Sequence, residues 1–169
     1  MSEELRSFLI ATLGLDVLLA LALLLTLTRG HVRATDERLG AASRRAWLAV
    51  VFQAGHFAEE LATGFHTRFP ELLGLSAFPM SIFVVFNVVW ILLFAFAAAG
   101  IRCANRLALF PLWFLGLASV FNGFAHPAFS AVSGGYFPGL FSSPFVAGAG
   151  FLLVRCLLEV TEAGVRRDT

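Results

Sequence analysis

Five long apolar segments dominate the sequence and limit the folds that it can adopt. They lie at about residues 8–28, 46–65, 78–100, 107–125 and 140–158. Each is close to the ~20 residues that an α-helix needs to cross a ~30 Å hydrocarbon core. No internal repeat or low-complexity tail divides the chain. The sequence therefore predicts an all-α fold, a single integral membrane domain with a bundle of about five transmembrane helices.

The composition agrees with a membrane protein and argues against a nucleic-acid partner. Hydrophobic residues make up 59% of the chain and charged residues only 14%, whereas a soluble domain carries about 25% charged residues. The net charge of +1 leaves no basic face of useful size for nucleic acid. We therefore expect membrane lipid as the surroundings and a hydrophobic or amphiphilic small molecule as the partner.

The arginines predict the orientation in the membrane. All 12 basic residues are arginine, and ten of them fall in the first loop, the third loop and the C-terminal end. Only Arg6 and Arg68 fall on the opposite side. Because basic residues concentrate on the cytoplasmic side, we expect the N-terminus outside and the C-terminus in the cytoplasm, as in a bacterial inner membrane.

The loop between the fourth and fifth spans, residues 127–143, is uncharged and apolar. It mixes phenylalanines and Tyr136 with glycine and proline, whereas an ordinary exposed loop is polar. Irregular backbone at membrane depth is tolerated where protein or a wet cavity shelters it. We expect this Gly/Pro-rich loop either to dip into the membrane interface or to fold back over the bundle as a candidate lid.

The second span carries a polar stripe. At 100° per residue, its polar side chains fall within roughly one third of the helix circumference; they are Gln53, His56, Glu59, Glu60 and Thr63. An acid or base near mid-membrane costs about 2.5–3.5 kcal/mol on insertion scales. The stripe is therefore expected to face the bundle interior.

Other spans supply polar residues at matching depth: Asp16, Asn87 with Trp90, and Asn122 with His126. The orientation given by the arginines places all of them near the midplane or in the outer half. Together with Gln53 they are predicted to line one pocket and bind substrate, apart from His126, which is predicted to act in catalysis. The alternative is structural, since lone asparagines join membrane helices through hydrogen bonds.

The segment "HFAEE", residues 56–60, resembles the motif of the HXXEE family of small membrane proteins. "FNVVW" and "FNGFAHP", at 86–90 and 121–127, are also similar to that family. The resemblance extends over about 46–144 and singles out His56, Glu59 and Glu60, followed by Asn87, Asn122 and His126. It implies a membrane fold and supplies no reaction.

The site is also similar to that of emopamil-binding-type sterol isomerases, which place a histidine and a glutamate one turn apart on a membrane helix. His56 and Glu60 correspond to that pair, and Asn87 with Trp90 corresponds to an Asn-x-x-Trp element. Here the second element lies on the third span instead of the fourth. The resemblance is one of site and not of ancestry.

Acid–base catalysis without a cofactor is the first hypothesis for function. It assigns His56, Glu59, Glu60 and His126 to catalysis, with one glutamate protonated as general acid and the other, or His56, as base. Isomerisation, dehydration or cyclisation of an apolar substrate would suit such groups. Glu60 lies 40° from His56 on the helix and is expected to touch the substrate, with Glu59 as its partner.

A divalent metal site is the alternative. His56 and Glu60 at i, i+4 can bind one ion together, with His126 as the third ligand and zinc, iron or copper as the metal. A second alternative is a non-catalytic binding protein or transporter. The lack of an inverted repeat disfavours a secondary transporter.

Overall fold

The computed structural model describes residues 3–162, and the fold is all-α, as predicted. The helices are α1 Glu3–Thr28, α2 Asp36–Thr63, α3 Phe65–Leu72, α4 Met80–Gly100, α5 Leu109–Ser133 and α6 Ser143–Val160. Two short 3₁₀ turns, Ile101–Cys103 and Arg106–Ala108, join α4 to α5. Two short strands, β1 His31–Val32 and β2 Thr161–Glu162, pair antiparallel.

Four of the described helices are long and apolar enough to cross a membrane, namely α1, α4, α5 and α6. The helix in the position of the second expected span, α2, has 28 residues and is long enough. It is less apolar than the other four because its first ten residues, DERLGAASRR, include five charged ones and its later turns carry the polar stripe. The four apolar helices are compatible with the predicted membrane bundle.

Two helix boundaries differ from the sequence prediction by eight residues or more, the start of α2 and the end of α5. α2 begins at Asp36, ahead of the expected residue 46, because the Thr35 hydroxyl accepts a hydrogen bond from the Arg38 amide and caps the helix. α5 continues through Pro127 and ends at Ser133, and the left-handed backbone of the next residue, Gly134 (φ 71°), forms the C-cap. The loop before α6 is therefore 134–142, shorter than the predicted 127–143.

The arginine-bearing segments meet at one end of the bundle. Pairing of β1 with β2 joins the α1–α2 connection to the C-terminal end of α6. Arg29 Nη2 donates to the carbonyl oxygen of Thr161 at 2.7 Å. Arg106 of the α4–α5 connection contacts His31 of β1 at 2.8 Å. The first loop, the third loop and the end of α6 therefore share one face, as their common arginine content predicts.

Small residues bring α5 and α6 into close contact. A Cβ atom added at Gly150 would lie 2.5 Å from Ser119 Cβ and 2.8 Å from the Gly116 carbonyl oxygen. A Cβ atom at Gly123 would overlap the Cβ of Ala147. Membrane helices that pack through small residues gain van der Waals contact between their backbones. This contact fixes α5 against α6 and thereby places the residues of the site.

We expect Gly150→Ala to lower the free energy of unfolding by about 1–3 kcal/mol, because the added methyl overpacks the α5–α6 contact. Gly148→Ala on the same helix is the matched control, since no atom lies within 4 Å of its added Cβ. The control should be neutral or stabilising by up to about 1 kcal/mol through helix propensity. Denaturant titration of the purified protein in detergent, followed by helicity, measures both. Equal stability of the two variants would contradict the packing described.

Candidate functional site

Three polar side chains from two helices meet inside the bundle: His56 and Glu60 of α2 and His126 of α5. The Nε2 atoms of the two histidines lie 3.1 Å apart. Glu60 Oε1 lies 3.6 Å from His56 Nε2 and 3.5 Å from His126 Nε2. The exposed fractions are 0% for His56, 7% for Glu60 and 2% for His126. The structure thus brings together the ligand set predicted for a metal.

Helical spacing explains why α2 presents His56 and Glu60 together. Residues four apart lie on one face of a helix. The same face of α2 is buried along its earlier turns, where it carries Ala42, Ala46 and Ala49. The polar pair therefore continues an inward-facing side of the helix, in agreement with the prediction that the stripe faces the interior.

The loop 134–142 supplies hydrogen-bond partners to both histidines. His126 Nδ1 lies 2.6 Å from the carbonyl oxygen of Pro138. A carbonyl can only accept, so Nδ1 carries the hydrogen, and in the neutral ring the lone pair of Nε2 faces His56 and Glu60. His56 Nδ1 lies 2.7 Å from Ser142 Oγ. The predicted folding back of this loop over the bundle is therefore observed.

Glu59 anchors the loop. Its carboxylate accepts hydrogen bonds from the Tyr136 hydroxyl at 2.7 Å and from the amides of Phe141 and Ser142 at 3.1 and 2.7 Å. Burial, and then the hydrogen bond to Glu59, raise the pKa of Tyr136, so this hydroxyl keeps its proton at neutral pH. Glu59 was predicted to act with the catalytic groups. The structure places its carboxylate on the loop instead of in the cluster.

A cavity of about 240 Å³ adjoins the cluster. Four of the five predicted substrate-binding residues line it: Gln53, Asn87, Trp90 and Asn122. Glu60 is the one member of the cluster on its wall among the described residues. Most of the remaining wall is aromatic and aliphatic, with contributions from α1, α3, α4 and α5. The cavity suits an apolar molecule that approaches the cluster from the side of Glu60.

The amide side chains give this cavity a small hydrogen-bonding capacity. Gln53 Oε1 is buried and has no hydrogen-bond partner within residues 3–162. Asn87 Nδ2 donates to the carbonyl of Phe83 at 3.0 Å, so its NH₂ group is partly used by its own helix. Trp90 packs on Phe114, with ring centroids 4.5 Å apart. The cavity can thus orient a hydroxyl or amine on a ligand through Gln53, with Trp90 as part of the aromatic wall.

Asp16 does not join this pocket, which corrects the sequence prediction. It is exposed on α1 and does not line the cavity, whereas Leu15 and Thr12 do. Asp16 follows Leu15 directly and so lies at the level of the cavity along α1, but contact with the cavity depends on the direction in which the side chain points. One residue further along an α-helix turns the side chain by about 100°, and this carries Asp16 away from the wall formed by Leu15.

Sequence reasoning missed Ser142, Pro138 and Gly139 as parts of the site. Gly139 has φ 88°, and a Cβ atom there would lie 2.5 Å from His126 Cε1 and 2.8 Å from His56 Cε1. The Pro138–Gly139 pair was a turn signal. Ser142 stands at the N-cap of α6 but makes no capping hydrogen bond with its side chain. Nothing local marked its hydroxyl as a partner for a distant histidine.

Comparisons of the chain with protein-family models, with curated proteins and with solved structures found no match. The resemblance of "HFAEE" to the HXXEE family therefore stays a prediction. Function has to be argued from the geometry of the cluster and the cavity.

We expect Gly139→Ala to disrupt the cluster, because its methyl would overlap both imidazole rings. Gly134→Ala is the matched control: it also has positive φ, at 71°, but has no atom within 4 Å of the added Cβ. Both variants should lose about 1–2 kcal/mol of stability from the left-handed backbone. Gly139→Ala should lose a further ~1–3 kcal/mol from overpacking. Unfolding free energies in detergent measure the difference, and equal losses would argue against the observed contact of Gly139 with the histidines.

Proposed function

We propose that the protein is a membrane-embedded enzyme whose His56, Glu60 and His126 hold a divalent metal that acts on a hydrophobic or amphiphilic small molecule. The observation that carries this proposal is the convergence of one ligand atom from each residue, all within 4.8 Å of one another. Three such atoms, buried and directed at each other, form a site for a shared cation.

The spacing of the three atoms supports a tetrahedral metal site. Ligands at about 2.0–2.1 Å from a tetrahedral zinc ion lie roughly 3.3 Å from each other. The observed separations are 3.1, 3.5 and 3.6 Å. Two histidines and one carboxylate form the protein ligand set of catalytic zinc sites and of non-haem iron sites. Zinc and iron are therefore the first metals to test, with copper next.

The hydrogen bonds behind the histidines support the same proposal. Metal-bound histidines usually donate their second ring N–H to an oxygen acceptor, which fixes the tautomer and the ring orientation. Pro138 provides such an acceptor to His126, and Ser142 provides one to His56. With both Nδ1 atoms as donors, the two Nε2 lone pairs converge beside the carboxylate of Glu60.

The cavity defines the substrate class in this proposal. Its wall is mainly apolar, and Glu60 stands where the cavity meets the cluster. A bound metal would supply Lewis acidity and an activated water at that boundary. Gln53, Asn87 and Asn122 would orient the polar end of an otherwise apolar substrate. Such a molecule would enter from the lipid phase, to which the bundle is exposed.

Metal-free acid–base catalysis is the second candidate, and the short contact between the histidines favours it. A separation of 3.1 Å between the Nε2 atoms is also the length of an N–H···N hydrogen bond. In the metal-free protein, His56 Nε2–H donates a hydrogen bond to His126 Nε2. Glu60 then exchanges a proton with the substrate in the cavity. This is the isomerase-like function expected from the sequence.

Metal analysis of the purified full-length chain distinguishes the two candidates. After exposure to zinc or ferrous iron and removal of excess metal, we expect about one ion per chain. His56→Ala, His126→Ala and Glu60→Gln should each weaken affinity by at least ~100-fold, because each removes a ligand. Ser142→Ala should weaken it by roughly 10-fold, because it removes only an outer hydrogen bond. Elemental analysis and competition with a chelator provide the readout.

His66→Ala is the matched control, because His66 lies on α3 and does not belong to the cluster. His66→Ala should keep the full metal content. Glu59→Gln should lower the metal affinity less than Glu60→Gln does. Binding that persists equally in His56→Ala and His66→Ala would exclude the proposed site. Absence of stoichiometric metal, with a catalytic activity that Glu60→Gln abolishes, would establish the acid–base candidate instead.

We further propose an orientation with the N-terminus outside and the C-terminus in the cytoplasm. The shared arginine-rich end supports it, since arginine concentrates on the cytoplasmic side. Reporter fusions after Ala34 and after Glu162 should read cytoplasmic, and a fusion after Gly135 should read external. In a bacterial host, a periplasmic reading after Glu162 would reverse the orientation and place the cluster toward the inner face.

A further inference from the structure

Asp16 lies near the middle of α1, a helix of 26 residues. It is exposed, and no hydrogen bond or ion pair to it occurs in the described part of the chain. At 1.5 Å per residue it is roughly 18–20 Å from either end of the helix. An acidic side chain at that depth costs about 2.5–3.5 kcal/mol on insertion scales and is almost always paired. Residues 3–162 of the single chain provide no partner for it.

Asp16 belongs to a regular stripe on the exposed side of α1. The stripe alternates steps of four and three residues, as helices that pack side by side do. Its members are all exposed and are Leu9, Leu13, Asp16, Ala20, Leu23 and Leu27. They cover about 80° of the helix circumference. The cavity wall occupies a different face, through Ala11 and Leu15.

Lipid explains the exposed leucines but not Asp16. Acyl chains cover leucine side chains without cost, so these residues alone indicate no protein partner. A carboxyl group at mid-depth needs a polar group at the same depth. A second copy of the chain, inserted in the same orientation, supplies that group automatically. A two-fold axis along the stripe would bring the two Asp16 side chains together.

We propose that the protein forms a homodimer through this stripe of α1, in which the two Asp16 carboxyl groups share a proton, so that one, as the neutral acid, donates a hydrogen bond to the other. Ala20 stands one helical turn from Asp16, and its small side chain allows close approach of the two helices. The leucines on either side of Asp16 pack against their counterparts. The interface leaves the cavity face of α1 free and does not depend on the proposed function.

Disulfide cross-linking in liposomes tests the contact. In a full-length background with Cys103→Ser and Cys156→Ala, single cysteines are placed at Leu13 and Ala20 in the stripe. Leu92→Cys on α4 is the control, because Leu92 is 54% exposed and lies outside the stripe. Mild oxidation should give a covalent dimer at Leu13→Cys and Ala20→Cys and little at Leu92→Cys. Equal cross-linking at all three sites, or none in the stripe, would overturn the proposal.

The contribution of Asp16 is tested by dimer affinity, measured as energy transfer between labelled copies at increasing lipid dilution. Asp16→Leu should weaken dimerisation by about 3- to 20-fold, the range measured for interhelical hydrogen bonds. Asp16→Asn keeps the hydrogen-bonding capacity and should dimerise as the unmodified chain does. Helicity and a single peak in size-exclusion chromatography confirm that the variants fold. An unchanged affinity in Asp16→Leu would overturn the proposed pairing.

Discussion

The carboxylate of Glu59 holds the loop 134–142 against the bundle, and the geometry of the cluster depends on this contact. Three donors from the loop bind that carboxylate, at 2.7, 3.1 and 2.7 Å. The loop so anchored brings the carbonyl of Pro138 to His126 and the hydroxyl of Ser142 to His56. Hydrogen bonds to a charged group contribute about 1.5–3 kcal/mol each. A side chain outside the cluster therefore orients both imidazole rings within it.

Adjacent glutamates perform different tasks because successive residues on a helix are turned by about 100°. Glu60 points to the histidines and the cavity, and Glu59 points to the loop. Both carboxylates thereby find polar partners within the protein, which is the condition for placing two acids next to each other in a membrane helix. The Glu59 carboxylate accepts hydrogen bonds from two backbone amides and a hydroxyl. The Glu60 carboxylate lies beside the Nε2 atoms of the two histidines, where a proton or a metal ion can bridge the three groups.

The same requirement that polar groups find partners separates the cluster from Asp16. His56, Glu60 and His126 are buried and within reach of each other, so the proposed cation, or shared protons, would satisfy them within the single chain. Asp16 is exposed on a helix that contributes only one of its faces to the cavity. Within residues 3–162 no side chain pairs with it, and the proposed dimer would supply a partner from a second copy. The two proposals therefore use different faces of α1: the cavity face for a ligand and the exposed stripe for association.

The sequence by itself determined the five long helices and the pairing of His56 with Glu60, whereas the short helix α3, Phe65–Leu72, lies between two expected spans and was not predicted. Apolar segments of about 20 residues specify spanning helices, and helical spacing places His56 beside Glu60 on one inward face. His126, 70 residues away, is predicted from the sequence as a third ligand, but only the tertiary structure brought it to 3.1 Å from His56. The tertiary structure alone placed Ser142 and Pro138 against the two rings. It also decided that Asp16 is turned outward. The reason is that apolar residues are distributed around the whole circumference of α1. The sequence of this helix therefore does not indicate which of its faces is buried. Contacts between distant segments depend on how each helix is rotated and packed, and close contacts such as that of Gly150 with Ser119 fix those rotations.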